Sequence, residues 1–280
     1  MSNDVMRKTV YLMGLISLCH PDDTKSCGAC CGLYNWIDHS RARMTELVDR
    51  RTDIFLSGMS HRSDLMEIKA RLEAADSSES LFEVIHNCPF VGFVDIERRQ
   101  VGCMIHPIHH DGRELRDVSL YGAELCHGHE CPSHQVLTAV ERQLVIESVD
   151  DWYLYGLVIT DIDLIKEFTT LVSNRLGEEI RPQLLKDRRV RDAAASFFRL
   201  KETWPYRSRE RRFGKYSFSI AEYHIEREVT EGELNLPESP YKKILVSLAT
   251  RFEGEKDAKR GAGIIEDSIT AFVRSYEEAA

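Results

Sequence analysis

The sequence predicts a mainly α-helical protein with a small β-hairpin, in which an N-terminal metal-stabilised cysteine-rich domain precedes a C-terminal helical domain. All eight cysteines lie in the first 131 residues, and ten of the eleven histidines lie before residue 135. From Ser133 onward, apolar residues instead recur with the period of an α-helix. This change of pattern predicts a cysteine-cluster metal-binding domain over 1–135 and a helical domain over 136–280.

The first elements in chain order are helices. Apolar periodicity predicts them over 3–18, 40–56 and 63–75. Ser40 and Ser63 stand at the starts of the second and third, where a serine side chain can cap a helix.

A hairpin follows these helices. We expect its arms over 91–96 and 100–105, joined by a short charged turn. Because a hairpin brings its two ends together, Cys88 and Cys103 are predicted to be neighbours although they are fifteen residues apart.

The C-terminal half predicts further helices. Thr160-x-x-Asp163 resembles a capping signal for a helix that reaches Leu176. Pro182 and Pro240 stand where the first turn of a helix accepts proline. One apolar helix face is predicted from Val136, Leu137, Val140, Leu144 and Val145, and further helices over 182–202, 217–229, 240–252 and 262–278.

Composition and charge restrict the function classes. The net charge of −9 argues against non-specific nucleic-acid binding by the whole chain. The apolar stretch from Thr9 to Cys19 is too short to span a bilayer, and no small-x-small cleavage site follows it. We therefore expect a soluble cytoplasmic protein without a membrane partner, where clustered thiols favour metal or redox chemistry over structural disulfides.

The densest cysteine motif is Ser26-Cys27-Gly28-Ala29-Cys30-Cys31-Gly32. The C-x2-C spacing lets two thiolates of one turn reach the same metal, and the glycines permit a tight turn. Neighbouring side chains tend to point apart. The pair Cys30-Cys31 therefore predicts a cluster, two metals, or one ligand beside a spectator.

Two further groups supply partners for this motif. The hairpin pair can bring two thiolates to one metal, and a closing loop carries two more cysteines with His129 between them. His129 is either a ligand or a hydrogen-bond donor to one, and Cys19 either packs at the end of the first helix or joins the site. The predicted metal ligands are Cys27, Cys30, Cys31, Cys88, Cys103, Cys126 and Cys131.

Seven thiols exceed the four that one tetrahedral zinc or one [4Fe–4S] cluster requires. They are enough for two sites if a histidine or an eighth thiol completes the second. The high sulfur count favours an iron–sulfur cluster, and zinc stays open as the alternative cofactor.

Three sequence fragments carry a resemblance to a known family. They are Cys27-Gly-x-Cys-Cys, Cys88-Pro-Phe, and Gly102-Cys-x-Ile-His-Pro107. The region from about 19 to 131 resembles the YkgJ-type cysteine-cluster family, a zinc- or iron-chelating domain of bacterial proteins. Where that family has a cysteine four residues before Cys27, this chain has Asp23, so either Cys19 replaces that ligand or the ligand is absent.

The resemblance implies metal chelation as the function. A flagellin lysine methylase is similar to the family over the cysteine region, which implies an iron–sulfur-dependent modifying enzyme as one alternative. No phosphate loop, nucleophile elbow or H-E-x-x-H motif points to another catalytic chemistry.

A basic segment over 186–215 suggests the other alternative. It holds eleven basic and four acidic residues with interleaved aromatics, a pattern that can bind single-stranded nucleic acid. An adaptor with a structural zinc would use it to bind a nucleic acid or a protein. Because charge runs are usually solvated helix faces, we favour that simpler interpretation.

Overall fold

The computed structural model of the chain describes residues 17–61, 63–76, 79–83, 85–208, 217–224 and 239–280. Helices predominate among them, and their sheet is one antiparallel hairpin of two strands. The predicted fold class, mainly helical with a small hairpin, is confirmed. The predicted helix over 3–18 lies outside the described residues except for its last two positions, and the prediction over 217–229 lies outside from 225 onward.

The N-terminal half contains few regular elements. Two helices, α1 and α2, precede strands β1 and β2, and two short helices, α3 and α4, follow. Their bounds are Arg41–Ser60, Leu65–Ala75, Val91–Phe93, Val101–Cys103, Gly122–Gly128 and Ser133–Val136.

The described residues of the C-terminal half are mostly helical, and 220–224 are helical as well. In chain order, α5 to α11 are Ala139–Ser148, Trp152–Ile159, Ile162–Leu176, Arg188–Phe198, Leu200–Thr203, Lys242–Ser247 and Glu255–Ala279.

The helices begin at residues whose side chains can cap them, although two of the caps lie one residue after the predicted position. Ser40 caps α1 by accepting a hydrogen bond from the backbone of Arg43, as predicted. Asp64 caps α2 in place of Ser63. Asp161 caps α7, because the Thr160 hydroxyl instead donates to the carbonyl oxygen of Gly156.

Two predicted long helices are interrupted. The face that begins at Val136 is broken at Leu137, and Thr138 then starts α5 with a complete capping box. The region 182–202 holds a 3-10 turn before α8 and α9, because Asp187 caps a new helix inside it. Conversely, α11 starts seven residues before the predicted 262.

The buried apolar side chains form three clusters. The largest lies among α5–α8, α10 and α11. The second lies beneath the cysteine loop, and the third lies between α1, α2 and the hairpin. Thr52 on α1 fixes the hairpin, since its hydroxyl accepts a hydrogen bond from the backbone nitrogen of Phe93 at 2.8 Å.

Helix α6 connects the two largest clusters. All eight of its residues are buried. Trp152 and Tyr153 pack beneath the cysteine loop, whereas Tyr155 and Val158 pack in the helical core. These buried contacts cross the predicted boundary between 1–135 and 136–280.

No helix in the described ranges has the length and apolar character needed to cross a membrane.

The helical core contains a fully buried ion pair. The Lys201 ammonium lies 2.6 Å from the Asp161 carboxylate and donates to the carbonyl oxygen of Ser247 at 2.9 Å. The Ser247 hydroxyl donates to the other carboxylate oxygen at 2.8 Å. The pair therefore links α7, α9 and α10 inside the core.

Removing the lysine should destabilise the protein strongly. We expect Lys201→Met to lower the free energy of unfolding by about 3–5 kcal/mol, because it leaves a buried carboxylate without its counter-ion. The double variant Lys201→Met/Asp161→Asn should recover most of that loss, since asparagine is neutral and still caps α7. Urea denaturation followed by circular dichroism measures both.

Lys259→Met is the matched control, because its partner Glu255 is also on the surface. Equal losses from Lys201→Met and Lys259→Met would contradict the prediction.

Candidate metal centre

The turn that carries Cys30 and Cys31 brings their sulfurs together. Ala29–Cys31 is a 3-10 turn, and it ends at Gly32 in the left-handed region with φ of +75°. The two Sγ atoms lie 3.9 Å apart. Neighbouring side chains were expected to point apart, but in this turn they are in contact.

A closed loop places Cys19 beside Cys27. The backbone nitrogen of Cys27 donates to the carbonyl oxygen of Cys19 at 2.9 Å. Gln100 of the hairpin holds the loop from outside, since its side chain donates to the carbonyl oxygens of Asp22 at 2.6 Å and Lys25 at 3.3 Å.

A second backbone contact joins Cys31 to Cys88. The nitrogen of Cys88 donates to the carbonyl oxygen of Cys31 at 2.9 Å. Gly32 permits this approach, because a Cβ at that position would overlap the carbonyl oxygen of His86 and the side chain of Asn87. Positive φ and close packing therefore both require glycine here.

Two polar side chains keep the Cys88 segment in place. Asn35, three residues after Gly32, donates from its amide to the carbonyl oxygens of Phe82 and Ile85. The buried Arg51 donates to the carbonyl oxygen of Cys88 at 3.1 Å and forms an ion pair with Asp76 at 2.5 Å.

The hairpin register determines the place of Cys103. Cys103 pairs with Val91, three residues after Cys88. Both strands are shorter than the predicted arms over 91–96 and 100–105. Cys88 and Cys103 both pack on the apolar cluster between α1, α2 and the hairpin.

The closing loop supplies the last two thiols. Cys126 lies on α3 with its sulfur 3.9 Å from the hydroxyl of Ser119, and it is exposed. Cys131 lies just before α4 and is partly buried. All eight cysteines of the chain are free thiols.

Mutual charge effects show that the thiols share one region. Burial is the main cause that raises the pKa of Cys19 to about 12, and the charges of Cys30 and Cys131 contribute to the same shift. Burial and then the charge of Cys19 raise the pKa of Cys27. Burial also raises the pKa of Cys103 to about 12, with Cys88 and Cys126 adding to the effect.

Cys31 lies between Cys30 and Cys88, and either thiol of the Cys30–Cys31 pair can donate to the other. Its thiol interacts with both Cys30 and Cys88, which raises its own pKa. The hydrogen bond from Cys31 lowers the pKa of Cys88 well below the ordinary value, and a hydrogen bond from His86 contributes to the same shift.

The structure adds two residues that the sequence did not single out. His86 lies two residues before Cys88 and, after Cys31, helps to lower the pKa of that thiol; the spacing His86-x-Cys88 is the sequence signal that could have identified it. Arg116 is buried beside Cys103 and Cys126, and its charge lowers the pKa of both against the effect of burial. It also forms a 2.5 Å ion pair with Glu114.

His129 packs against an aromatic ring. Its ring is stacked on Phe218 with centroids 4.4 Å apart. Burial and then the charge of His134 lower its pKa, with Glu130 opposing them.

In the part of the chain that the structure describes, no three Cys, His, Asp or Glu side chains stand as a group that could hold a metal ion. The seven predicted ligands share one region, but their sulfurs do not converge on one point.

The structure describes the basic segment over 186–215 only as far as residue 208. Within the described part, Phe197, Phe198 and Trp204 are buried in the helical core. Lys201 is the buried partner of Asp161. These aromatics cannot stack on bases, which supports the interpretation as a helix with a solvated basic face.

Comparisons of the chain with models of protein families, with curated proteins and with solved structures found no match.

The contact at Gly32 gives a test of how the region is held together. Gly112 also has positive φ, but a Cβ there would meet nothing within 4 Å. We expect Gly112→Ala to cost about 1 kcal/mol of unfolding free energy through backbone strain alone. Gly32→Ala should cost a further ~1–3 kcal/mol because its Cβ overlaps the segment before Cys88.

Chemical denaturation under reducing conditions and without added metal measures the two losses. Hydrogen exchange at the amide of Cys88 should rise in Gly32→Ala and stay unchanged in Gly112→Ala. Indistinguishable behaviour of the two variants would show that the close approach at Gly32 is unimportant.

Proposed function

We propose that this protein binds a metal through a cluster of cysteine thiolates, either an iron–sulfur cluster or zinc, in the cytoplasm. One observation supports this above the others: thiols from four separate stretches of chain meet in one region. The backbone hydrogen bond between Cys88 and Cys31 and the hairpin register bring three of these stretches together. The fourth, which holds Cys126 and Cys131, is approached through Tyr121, whose ring centroid lies 5.3 Å from that of His86. The proposed ligands are Cys27, Cys30, Cys31, Cys88, Cys103, Cys126 and Cys131.

The donor set fits either group. Thiolates bind both zinc and iron–sulfur clusters, and the thiols outnumber the four that one centre requires. All eight are free, which suits a reducing compartment. Because no three converge among the described residues, binding requires the side chains to turn toward a common point.

Metal binding would give the N-terminal half the cross-links that it otherwise lacks. Between 104 and 121, its regular structure amounts to two 3-10 turns, Pro107–His109 and Arg116–Val118. A bound zinc would tie these stretches together, and a cluster would in addition provide an electron-transfer centre.

An aromatic group covers one side of the thiols. Burial and then the charges of Cys31 and Cys88 raise the pKa of Tyr121. The ring centroid of Tyr121 lies 5.3 Å from that of His86 and 6.3 Å from that of Phe218. Phe218 in turn stacks on His129. This arrangement would limit the access of water and chelators to a bound metal.

The alternatives of a modifying enzyme and of an adaptor stay predictions. None of the described contacts favours either over plain metal binding.

Metal analysis of anaerobically purified protein tests the proposal. We expect several thiolate-bound metal atoms per chain, seen as a brown colour for iron–sulfur or as stoichiometric zinc in a colourless protein. Cys30→Ser should lose at least half of the metal, because serine is a poor ligand for either. His127→Asn is the control: its side chain is exposed, and it should keep the full content.

Wild-type protein that stays metal-free after reconstitution with Zn²⁺, and after reconstitution with Fe²⁺ and sulfide, would refute the proposed function.

Removing the aromatic cover should speed up metal loss. We expect Phe218→Ala to release metal to a competing chelator several-fold faster than wild type while equilibrium metal content stays unchanged. The measurement is the absorbance change of a chromogenic chelator with time. Ile96→Ala, an exposed apolar residue in the hairpin turn, should release metal at the wild-type rate.

A further inference from the structure

We propose that Cys30 and Cys31 form a two-thiol site that captures a mono-substituted trivalent arsenical, which is a soft and neutral electrophile. The site requires these two sulfurs and no third ligand. It operates in the metal-free chain, so it goes beyond the proposed metal binding and does not depend on it.

The contact between the two sulfurs is the observation that carries this inference. The Sγ atoms of Cys30 and Cys31 lie 3.9 Å apart. Adjacent side chains of a regular helix do not face each other, so this contact is a property of this particular turn. Both thiols are free and partly exposed, and a small molecule can therefore reach them.

Backbone hydrogen bonds hold the pair in place. Within the 3-10 turn, the nitrogen of Cys31 donates to the carbonyl oxygen of Gly28 at 3.2 Å, and the nitrogen of Gly32 donates to that of Ala29 at 3.0 Å. The carbonyl oxygen of Cys31 accepts from the nitrogen of Cys88 at 2.9 Å. Two donor atoms that are already in contact lose little freedom when one ligand bridges them.

The surroundings of the pair favour a neutral adduct. Ala29 and Leu33, which flank the two cysteines, are buried, and Cys31 packs against both apolar clusters of the N-terminal half. Charge is costly beside apolar side chains. An arsenical that carries one organic group and two sulfur ligands has no net charge, so its binding avoids that cost.

The binding step is an exchange of ligands at arsenic. In water the arsenical is R–As(OH)₂, and each thiol replaces one hydroxide. Two As–S bonds form, two As–O and two S–H bonds break, and two water molecules leave. Arsenic stays trivalent and the sulfurs are not oxidised, so the step needs no oxidant or reductant.

Chelation distinguishes this site from isolated thiols. Once the first As–S bond has formed, the second forms within the same molecule, which raises the affinity by about 10²–10⁴. A single thiol has no such gain. Tight binding of a mono-substituted arsenical therefore reports a pair of neighbouring sulfurs.

Phenylarsine oxide is the probe, and the sample is the metal-free full-length chain reduced with a phosphine, because a thiol reductant would compete. We expect the first equivalent to bind wild type at least ~100-fold more tightly than it binds Cys30→Ser or Cys31→Ser. Isothermal titration calorimetry measures the affinities, and circular dichroism shows that each variant is folded.

Cys27→Ser is the matched control, because Cys27 lies in the same loop and has the C-x2-C spacing to Cys30. This variant should bind the probe with the wild-type affinity. A loss in Cys27→Ser as large as that in Cys30→Ser would overturn the inference, since the ligand would then bridge Cys27 and Cys30.

The position of the probe on the wild-type chain tests the site even if a serine variant fails to fold. Trypsin cleavage after Lys25 and Arg41 releases one peptide that holds Cys27, Cys30 and Cys31. Fragmentation of this peptide in a mass spectrometer should place the phenylarsenic group on the last two of these cysteines.

Three other results would overturn the inference. They are no tight binding by wild type, equal affinities of wild type, Cys30→Ser and Cys31→Ser, or a loss in Cys88→Ser that equals the loss in Cys30→Ser. Reconstitution of the same wild-type preparation with zinc or with iron and sulfide tests the proposed function separately.

Discussion

The backbone hydrogen bond between Cys88 and Cys31 is the contact on which the cysteine region depends. It joins two segments that are more than fifty residues apart, and it forms only because Gly32 has no Cβ and adopts positive φ. Asn35 and Arg51 hold the approaching segment by its carbonyl oxygens, so the contact is supported from both sides. The backbone positions of Cys31 and Cys88 are therefore fixed by protein contacts alone.

Helix α6 plays the corresponding role between the cysteine region and the helical core. The Tyr34 hydroxyl donates to the carbonyl oxygen of Tyr153 at 3.0 Å, and its ring lies where any Cβ on Gly156 would have to be. On the opposite side, the Tyr155 hydroxyl donates to the carbonyl oxygen of Leu18, next to Cys19. The helical half thus forms part of the wall of the thiol region.

Charge explains why so many buried thiols suit a metal. Burial and neighbouring thiolates raise the pKa of Cys19, Cys27 and Cys103, and Cys31 shares hydrogen bonds with the two sulfurs beside it. A divalent metal removes that repulsion when the protons leave. The buried cation of Arg116 acts in the same direction near Cys103 and Cys126.

The sequence alone determined the fold class, the hairpin, the Ser40 cap and the candidate thiols, because each depends on local periodicity, capping chemistry or residue type. Asp64 and Asp161 replaced the expected caps, because the hydrogen bonds of neighbouring residues decide which side chain is available. Only the tertiary structure decided that Cys19 lies beside Cys27 and that Arg116 is buried near Cys103 and Cys126. Those facts depend on which distant segments meet, and the space left by a missing Cβ at Gly32 and Gly156 controls that meeting.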